Sequence, residues 1–157
     1  MLVRRHERVV RGFLARVTAG SGRADDLAQE TFLTAWSKAR AYGGQGRYRG
    51  WLLRIAWTTF LMDIRQAKRR LPTFRGYEAE VPESVAFGDA EGDLIVKDAL
   101  KRLRHEDRAA VTLCLVLGHS HREAAEILDM PLGTLKTRVS RGIAKLTELL
   151  GDEDDNA

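Results

Sequence analysis

The residues whose types and spacing most clearly indicate a binding function lie near the C-terminus, where cations and hydroxyls recur along one predicted helix. Ser120 and Glu123 have the spacing of a capping box, which predicts the start of a short helix. Pro131 and Gly133 predict a tight turn, and a longer helix is expected to begin near Thr134. A short helix, a turn and a basic helix are typical of a helix-turn-helix, whose second helix lies in a DNA major groove. An ordinary amphipathic surface helix is the competing interpretation.

A helical wheel of the last helix separates a buried side from an outward side. With Leu135 as reference and 100° per residue, the predicted buried positions are Leu135, Val139, Gly142, Ile143 and Leu146. The predicted outward positions are Thr134, Thr137, Arg141 and Lys145, with Lys136 and Arg138 at the two edges. Arg141 suits bidentate recognition of guanine, and the edge cations suit backbone phosphates.

A second basic segment mixes cations with aromatic rings. A helix is predicted from about Arg49 to Arg70, with apolar positions at Leu52, Ile55, Ala56, Thr59, Met62 or Phe60, and Ala67. The mixed segment consists of Arg47, Tyr48, Arg49, Trp51, Arg54, Trp57 and the basic run from Arg65 through Lys68 and Arg69 to Arg70. Rings stack on unpaired bases while cations follow the phosphate backbone, so this mixture indicates single-stranded nucleic acid. Of the tryptophans, Trp51 is the one expected in the core.

The helix predicted before this segment shows the clearest apolar stripe. It consists of Ala24, Leu27, Ala28, Thr31, Phe32, Ala35, Trp36 and Ala39. The opposite side carries Asp26, Gln29, Glu30 and Leu33. A mixed acidic and apolar face of this kind suits docking to the helices of another protein, and a merely solvated face is the alternative.

The whole chain of 157 residues is predicted to be all-α, with two small helical domains. Further helices are expected at about 2–18, 93–104 and 107–117, the last with a buried Cys114. Residues 1–76 hold 16 Lys and Arg against 5 Asp and Glu, whereas residues 77–98 hold 1 against 7. These shifts place a first domain at 1–71, an acidic flexible linker at 72–92, a second domain at 93–151 and an acidic tail at 152–157.

Composition and motifs disfavour other classes of protein. A single cysteine excludes an internal disulfide and favours the reducing cytoplasm. No apolar run approaches the ~18 residues that span a bilayer, so no membrane insertion is expected. His119 and His121 lack further ligands at metal-binding spacing, and Gly43-Gly-Gln-Gly46 lacks the Lys-Ser/Thr of a phosphate loop. We therefore expect no catalytic residues, no metal and no cofactor.

Three blocks of the chain resemble the extracytoplasmic-function (ECF) sigma factors of bacterial RNA polymerase. Ala24-Asp-Asp-Leu-Ala-Gln-Glu-Thr-Phe-Leu-Thr-Ala-Trp36 resembles the polymerase-binding helix of that family. Arg49-Gly-Trp-Leu-Leu-Arg-Ile-Ala56, with Asp63-Ile-Arg65, resembles its −10 promoter helix, and Gly133-Thr-Leu-Lys-Thr-Arg-Val-Ser-Arg141 its −35 recognition helix. The order of the blocks and the linker between them strengthen the resemblance.

The resemblance implies a role for each segment. A three-helix sigma domain 2 would bind core RNA polymerase, at the coiled coil of its largest subunit, through Asp26, Gln29, Glu30 and Leu33. The same domain would hold the −10 promoter DNA through Tyr48, Arg49, Arg54, Trp57, Thr58, Arg65, Lys68 and Arg69. A four-helix sigma domain 4 would contact the second-largest subunit and read the −35 DNA through Thr134, Lys136, Thr137, Arg138, Arg141 and Lys145. An anti-sigma factor is the expected inhibitor.

Two other interpretations remain open from the residues alone. One is a helix-turn-helix regulator, although residues 1–76 are too short and too basic for a receiver domain. The other is a sigma mimic that binds an anti-sigma factor and not DNA. Such a mimic could lose its outward cations, yet Lys136, Arg138 and Arg141 are all present.

Overall fold

The computed structural model describes residues 2–43, 47–70 and 90–154, and every regular element in these ranges is helical. The order is α1 (Leu2–Val17), α2 (Ala24–Lys38), α3 (Tyr48–Arg70), α4 (Ala90–Lys101), α5 (His105–Val111), α6 (His121–Ile127) and α7 (Leu132–Asp154). The all-α prediction is confirmed. The chain divides into two compact units, residues 1–82 and 83–157. Most of the predicted linker and the end of the tail lie outside the described residues.

The first unit is a bundle in which α1, α2 and α3 each pack against the other two. Its centre consists of large apolar side chains that are fully buried: Phe13, Leu14, Leu27, Leu52 and Leu53. Burying such side chains stabilises a fold by roughly 1.5–3 kcal/mol each before the entropy of ordering is counted. The bundle thus buries one apolar side of each helix, and the opposite sides remain available for other roles.

A charged contact fixes the start of α2 against α3. Arg23 donates from Nη2 to Asp63 Oδ1 at 2.7 Å and from Nε to Asp63 Oδ2 at 3.4 Å. Its Nη1 also lies 3.2 Å from Asp26 Oδ2. Hydrogen bonding to Asp63, more than the charges around it, raises the pKa of Arg23. A fork of this geometry fixes direction as well as distance.

In the second unit a buried arginine forms the corner between α4 and α5. Arg108 donates from Nε to the Leu100 carbonyl at 2.8 Å and from Nη2 to the Leu103 carbonyl at 2.9 Å. The Leu100 carbonyl belongs to the last turn of α4 and the Leu103 carbonyl to the short turn after it, so Arg108 ties α5 to the C-terminal end of α4. Burial lowers the pKa of the Arg108 guanidinium.

The apolar run that follows α5 does not continue as a uniformly buried helix. Residues Thr112–Val116 form a widened π-helical turn, in which the Leu117 N–H reaches the Thr112 carbonyl at 3.0 Å. Leu115 and Val116 are exposed and Cys114 is half-buried, so the prediction of a buried Cys114 is wrong. A helix turns successive side chains through its whole circumference, and an uninterrupted apolar run must therefore expose some of them.

The predicted capping residue of α6 is confirmed, whereas the turn after it differs from expectation. The Glu123 N–H donates to Ser120 Oγ at 3.1 Å. Asp129 has a φ of 51°, in the left-handed region, and makes the turn. Pro131 comes just before the first residue of α7, where its missing N–H costs little. Gly133 is therefore already helical, and α7 begins two residues before the predicted Thr134.

α5 and α7 pack closely at Gly142. A Cβ built on Gly142 would overlap Cγ2 of Val111 and lie 3.4 Å from the Asp107 carbonyl oxygen. The predicted buried positions Leu135, Val139 and Gly142 are buried. Ile143 is exposed and Leu146 only half-buried, so the predicted buried side is too wide. Because α7 packs closely against α5 at Gly142, only a narrow stripe of α7 side chains is buried.

We expect Gly142→Ala to lower the free energy of unfolding by about 1–3 kcal/mol, because the methyl group overpacks the α5–α7 contact. Gly133 is a matched control in the same helix, since a Cβ there meets nothing within 4 Å. Gly133→Ala should leave stability unchanged or raise it by up to about 1 kcal/mol. Chemical denaturation followed by circular dichroism measures both. Equal effects of the two substitutions would contradict the proposed packing.

Candidate protein-docking and nucleic-acid interfaces

The outer face of α2 carries the four side chains predicted to dock a protein. Asp26, Gln29, Glu30 and Leu33 are all exposed, and their spacing places them on one side of the helix. Leu33 is 66% exposed, which is a large fraction for a leucine beside a well-packed core. The structure thus brings these four residues together on one surface.

Trp36 extends this surface, and its predicted burial is wrong. Its side chain is 82% exposed, whereas Leu27, Ala28 and Ala35 are buried. Trp36 follows Leu27 by nine residues, which at 100° per residue returns it about 180° from that leucine. The stripe inferred from successive three- and four-residue steps drifted around the helix until it reached the opposite side. Trp36 and Leu33 are therefore neighbours on the outer face.

Four rings gather where the start of α3 meets α1. Tyr42 lies 4.9 Å from Trp51 and 5.4 Å from Tyr48 between ring centroids, and Tyr48 lies 5.5 Å from Trp51 and 5.2 Å from His6. Burial, followed by the charges of Arg5 and Arg49, lowers the pKa of His6. Trp51 is only half-buried, so it belongs to this surface cluster and not to the core.

Trp57, in contrast, is a core residue. It is 4% exposed and its ring centroid lies 5.5 Å from that of Phe60. Trp57 follows the fully buried Leu53 by four residues and so shares its inward side. The prediction that Trp57 contacts DNA is therefore wrong, because a buried ring cannot stack on a base.

Five of the remaining α3 residues predicted to bind DNA form one exposed strip. They are Arg54, Thr58, Arg65, Lys68 and Arg69. Their positions fall within about 100° of the helix circumference. The strip is about 22 Å long, given a rise of 1.5 Å per residue. Arg49 is half-buried on a different side of α3, and Tyr48 belongs to the ring cluster. The structure therefore separates these two from the cationic strip.

The outward side of α7 is polar along its first three turns. Thr134, Lys136, Thr137 and Arg141 are exposed, and Thr137 Oγ1 donates to the Gly133 carbonyl at 3.1 Å. Lys145 is half-buried and its Nζ lies 3.6 Å from Glu148 Oε1. The exposed side chains occupy the N-terminal half of the helix, where a recognition helix meets base edges.

Arg138 differs from its predicted place at a phosphate-facing edge. Its side chain is 23% exposed, and its Nη1 donates to Asp107 Oδ1 at 3.2 Å. Asp107 is 2% exposed and also has Oδ2 at 4.0 Å from Arg141 Nη1. A wheel of α7 alone could not reveal this contact, because its partner lies 31 residues earlier on α5. No feature of the sequence distinguished Asp107 from the other acidic residues of this domain, such as Glu106 and Glu126.

The described ranges contain no group of three or more His, Cys, Asp or Glu side chains arranged to hold a metal ion. His119 Nδ1 lies 3.1 Å from Glu123 Oε2, next to the start of α6. Within the same ranges, no helix is long and apolar enough to cross a bilayer.

Both halves of the chain match known families. Residues 2–70, which include α1 to α3, match Sigma-70 region 2, and residues 93–146 match Sigma-70 region 4. The chain is 34% identical to the RNA polymerase sigma factor CarQ of Myxococcus xanthus over 96% of its length and 88% of that protein. It is 32% identical to the ECF RNA polymerase sigma factor EcfG of Rhodopseudomonas palustris, covering 92% of this chain and 82% of that one.

This chain belongs to the ECF family of RNA polymerase sigma factors. Sigma factors are regulatory proteins.

Two solved structures resemble the fold of this sigma factor over almost its whole length. One is the sigma factor RpoE of Bartonella quintana in complex with the anti-sigma factor NepR, with a TM-score of 0.79 and 28% identity, covering 95% of this chain and 94% of that one. The other is CnrH in complex with the cytosolic domain of CnrY, with a TM-score of 0.66 and 25% identity, covering 96% and 86%.

The different roles of two tryptophans in this sigma factor are testable. We expect Trp57→Ala to lower the free energy of unfolding by about 3–5 kcal/mol, as for other buried aromatic residues. Trp36→Ala should change it by less than about 0.5 kcal/mol, since the ring lies on the surface. Thermal and urea unfolding of the two variants provide the comparison. A larger loss from Trp36 would show that the assignment of α2 faces is wrong.

Proposed function

We propose that this sigma factor binds core RNA polymerase through the outer face of α2 and directs it to promoters through α3 and α7. The observation that carries the proposal is the division of chemistry between helix faces. α2 presents carboxylates with a leucine and a tryptophan, whereas α3 and α7 present cations and hydroxyls. The first combination suits a protein partner, and the second suits nucleic acid.

The α2 face has the composition of a protein-binding hot spot. Exposed tryptophan and leucine side chains gain free energy when a partner excludes water from them, and tryptophan is enriched at such positions. Asp26 and Glu30 border these apolar side chains and would select a basic partner surface. The resemblance suggests the coiled coil of the largest polymerase subunit as that partner.

The α3 strip suits the melted −10 strand. Arg54, Arg65, Lys68 and Arg69 supply a line of positive charge along which phosphates can run. The ring cluster at the N-terminal end of the helix supplies surfaces on which unpaired bases can stack. Trp57 has no part in this interface, and its role is to support the helix from below.

The α7 surface suits the −35 duplex. Arg141 and Thr137 occupy the centre of the outward side, where base edges are within reach of a recognition helix. Lys136 lies towards one edge, where it would meet a phosphate. Contacts of the second unit with the second-largest polymerase subunit would place this helix upstream of the melted strand.

We also propose that an anti-sigma factor holds this protein inactive. Support comes from the two structural relatives, of which one was solved in complex with the anti-sigma factor NepR and the other in complex with the cytosolic domain of CnrY. We further propose that this sigma factor performs no catalysis itself, because the polymerase forms the phosphodiester bonds of the transcript. It would act in the cytoplasm, where the polymerase and the chromosome are found.

We expect Leu33→Ala and Trp36→Ala each to weaken binding to core RNA polymerase by at least about tenfold, equivalent to about 1.4 kcal/mol. Lys38→Gln, at an exposed position about 140° around the same helix from Leu33, is the control and should bind as the unmodified chain does. Fluorescence anisotropy of the labelled full chain against core polymerase measures the affinity. Unchanged affinity in both apolar variants would place the polymerase contact elsewhere.

Arg141→Ala and Lys136→Ala should weaken promoter binding in different ways. Loss of Arg141 should remove about 1–3 kcal/mol of discrimination at one or two base pairs. Loss of Lys136 should weaken binding to all sequences alike and reduce the salt slope by about 1. Binding of the polymerase complex to matched and scrambled −35 duplexes at several salt concentrations separates the two effects. Identical behaviour of the two variants would refute the orientation of α7.

A further inference from the structure

Asp107 is a buried carboxylate that faces the DNA-reading helix from behind. Its two oxygens face two arginines that lie one helical turn apart on α7. Oδ1 is 3.2 Å from Arg138 Nη1, and Oδ2 is 4.0 Å from Arg141 Nη1. Asp107 lies in the first turn of α5, and α5 packs directly against α7. A single carboxylate therefore accepts a hydrogen bond from Arg138 and lies at the limit of ion-pair distance from Arg141.

This arrangement is held in place by the energetics of burial. A carboxylate that is 2% exposed is strongly unfavourable without a cationic partner, so its contact with Arg138 must persist in the folded domain. Arg138 is largely withdrawn from solvent, and its Nε is buried without a hydrogen-bond partner among the described residues. The Arg141 side chain is about half exposed and keeps part of its guanidinium outward.

A restrained arginine and a mobile one have different consequences for DNA binding. A mobile guanidinium pairs with any phosphate it can reach, and such contacts carry no sequence information. A guanidinium held in one direction loses less conformational freedom when it meets a matching base edge. The carboxylate also reduces the positive charge that a phosphate meets at this surface.

We propose that Asp107 is a positioning residue that makes the −35 helix selective, by restraining Arg138 and orienting Arg141. The inference rests on the proposed function of α7 as a DNA-reading helix. Asp107 does not touch DNA itself. Asp107 lowers the affinity of this surface for phosphates at every sequence, and it fixes the direction of the arginine that reads a base.

The test compares Asp107→Asn with Glu106→Gln in the full chain bound to core RNA polymerase. Both variants remove one negative charge from the first turn of α5, but Glu106 pairs with His105 and not with an arginine of α7. Each complex is incubated with a duplex library that carries a randomised upstream segment, and the bound pool is sequenced. Affinities are then measured for the most enriched duplex and for a scrambled one across a salt series.

We expect Asp107→Asn to reduce the ratio of specific to non-specific affinity by roughly tenfold, comparable with the loss of one base contact. Binding to the scrambled duplex should become tighter and its salt slope steeper, because two arginines are released. Glu106→Gln should keep the ratio of the unmodified chain. In a chain that already carries Arg138→Ala and Arg141→Ala, Asp107→Asn should cause no further loss of the affinity ratio. If Asp107 were purely structural, the substitution would still lower the melting temperature of that chain.

Arg138→Lys provides a second test if Asp107→Asn unfolds at the assay temperature. It preserves the charge but loses the rigid fork, so the ratio should again fall. If Asp107→Asn folds and its ratio equals that of Glu106→Gln, the inference is wrong. If Asp107→Asn unfolds, the same result in Arg138→Lys would overturn the inference. So would a higher ratio, which would make Asp107 a mere competitor of DNA. If the unmodified complex enriches no sequence, the proposed function of α7 fails instead.

Discussion

Each long helix can bury only one side against its neighbours, and the position of that side determines which chemistry reaches a partner. α2 has 15 residues, and α3 and α7 have 23 each. Packing in α2 turns Leu27 inward and therefore turns Leu33 and Trp36 outward. Packing in α7 places Gly142 against Val111, which turns Thr137 and Arg141 away from the core. The core thus defines the docking surface of α2 and the recognition surface of α7.

The two surfaces proposed to bind nucleic acid differ in how their charges are held. The α3 strip consists of exposed cations on one side of the helix, an arrangement that tolerates any base sequence. On α7, by contrast, a buried carboxylate contacts Arg138 and approaches Arg141. A strand that has already been melted requires a firm hold on its backbone, whereas a duplex that is still paired must be recognised by its base edges. The placement of Asp107 matches that difference in demand.

The sequence was sufficient for the helical class, the helix order, the Ser120 cap and the outer face of α2, because periodicity and local hydrogen bonding determine them. It was insufficient for the three tryptophans. Steps of three and four residues both continue an apolar stripe, so the inferred stripe drifts, and Trp36 was placed on the wrong side. Trp57 and Trp51 were exchanged because a ring beside cations suits either a core or a surface. Asp107 was missed because its pairing with Arg138 depends on how α5 and α7 meet in space.

In the proposed function, the α2 face and the two cationic faces act together in one initiation event. The most direct test is transcription by core RNA polymerase plus this chain on fragmented DNA from its own host, with sequencing of the 5′ ends of the transcripts. We expect discrete start sites that share two upstream sequence blocks at a fixed spacing. Leu33→Asp should abolish these starts while leaving the chain folded. If the chain binds core polymerase but yields no discrete starts, the proposed function is wrong and a sigma mimic is favoured.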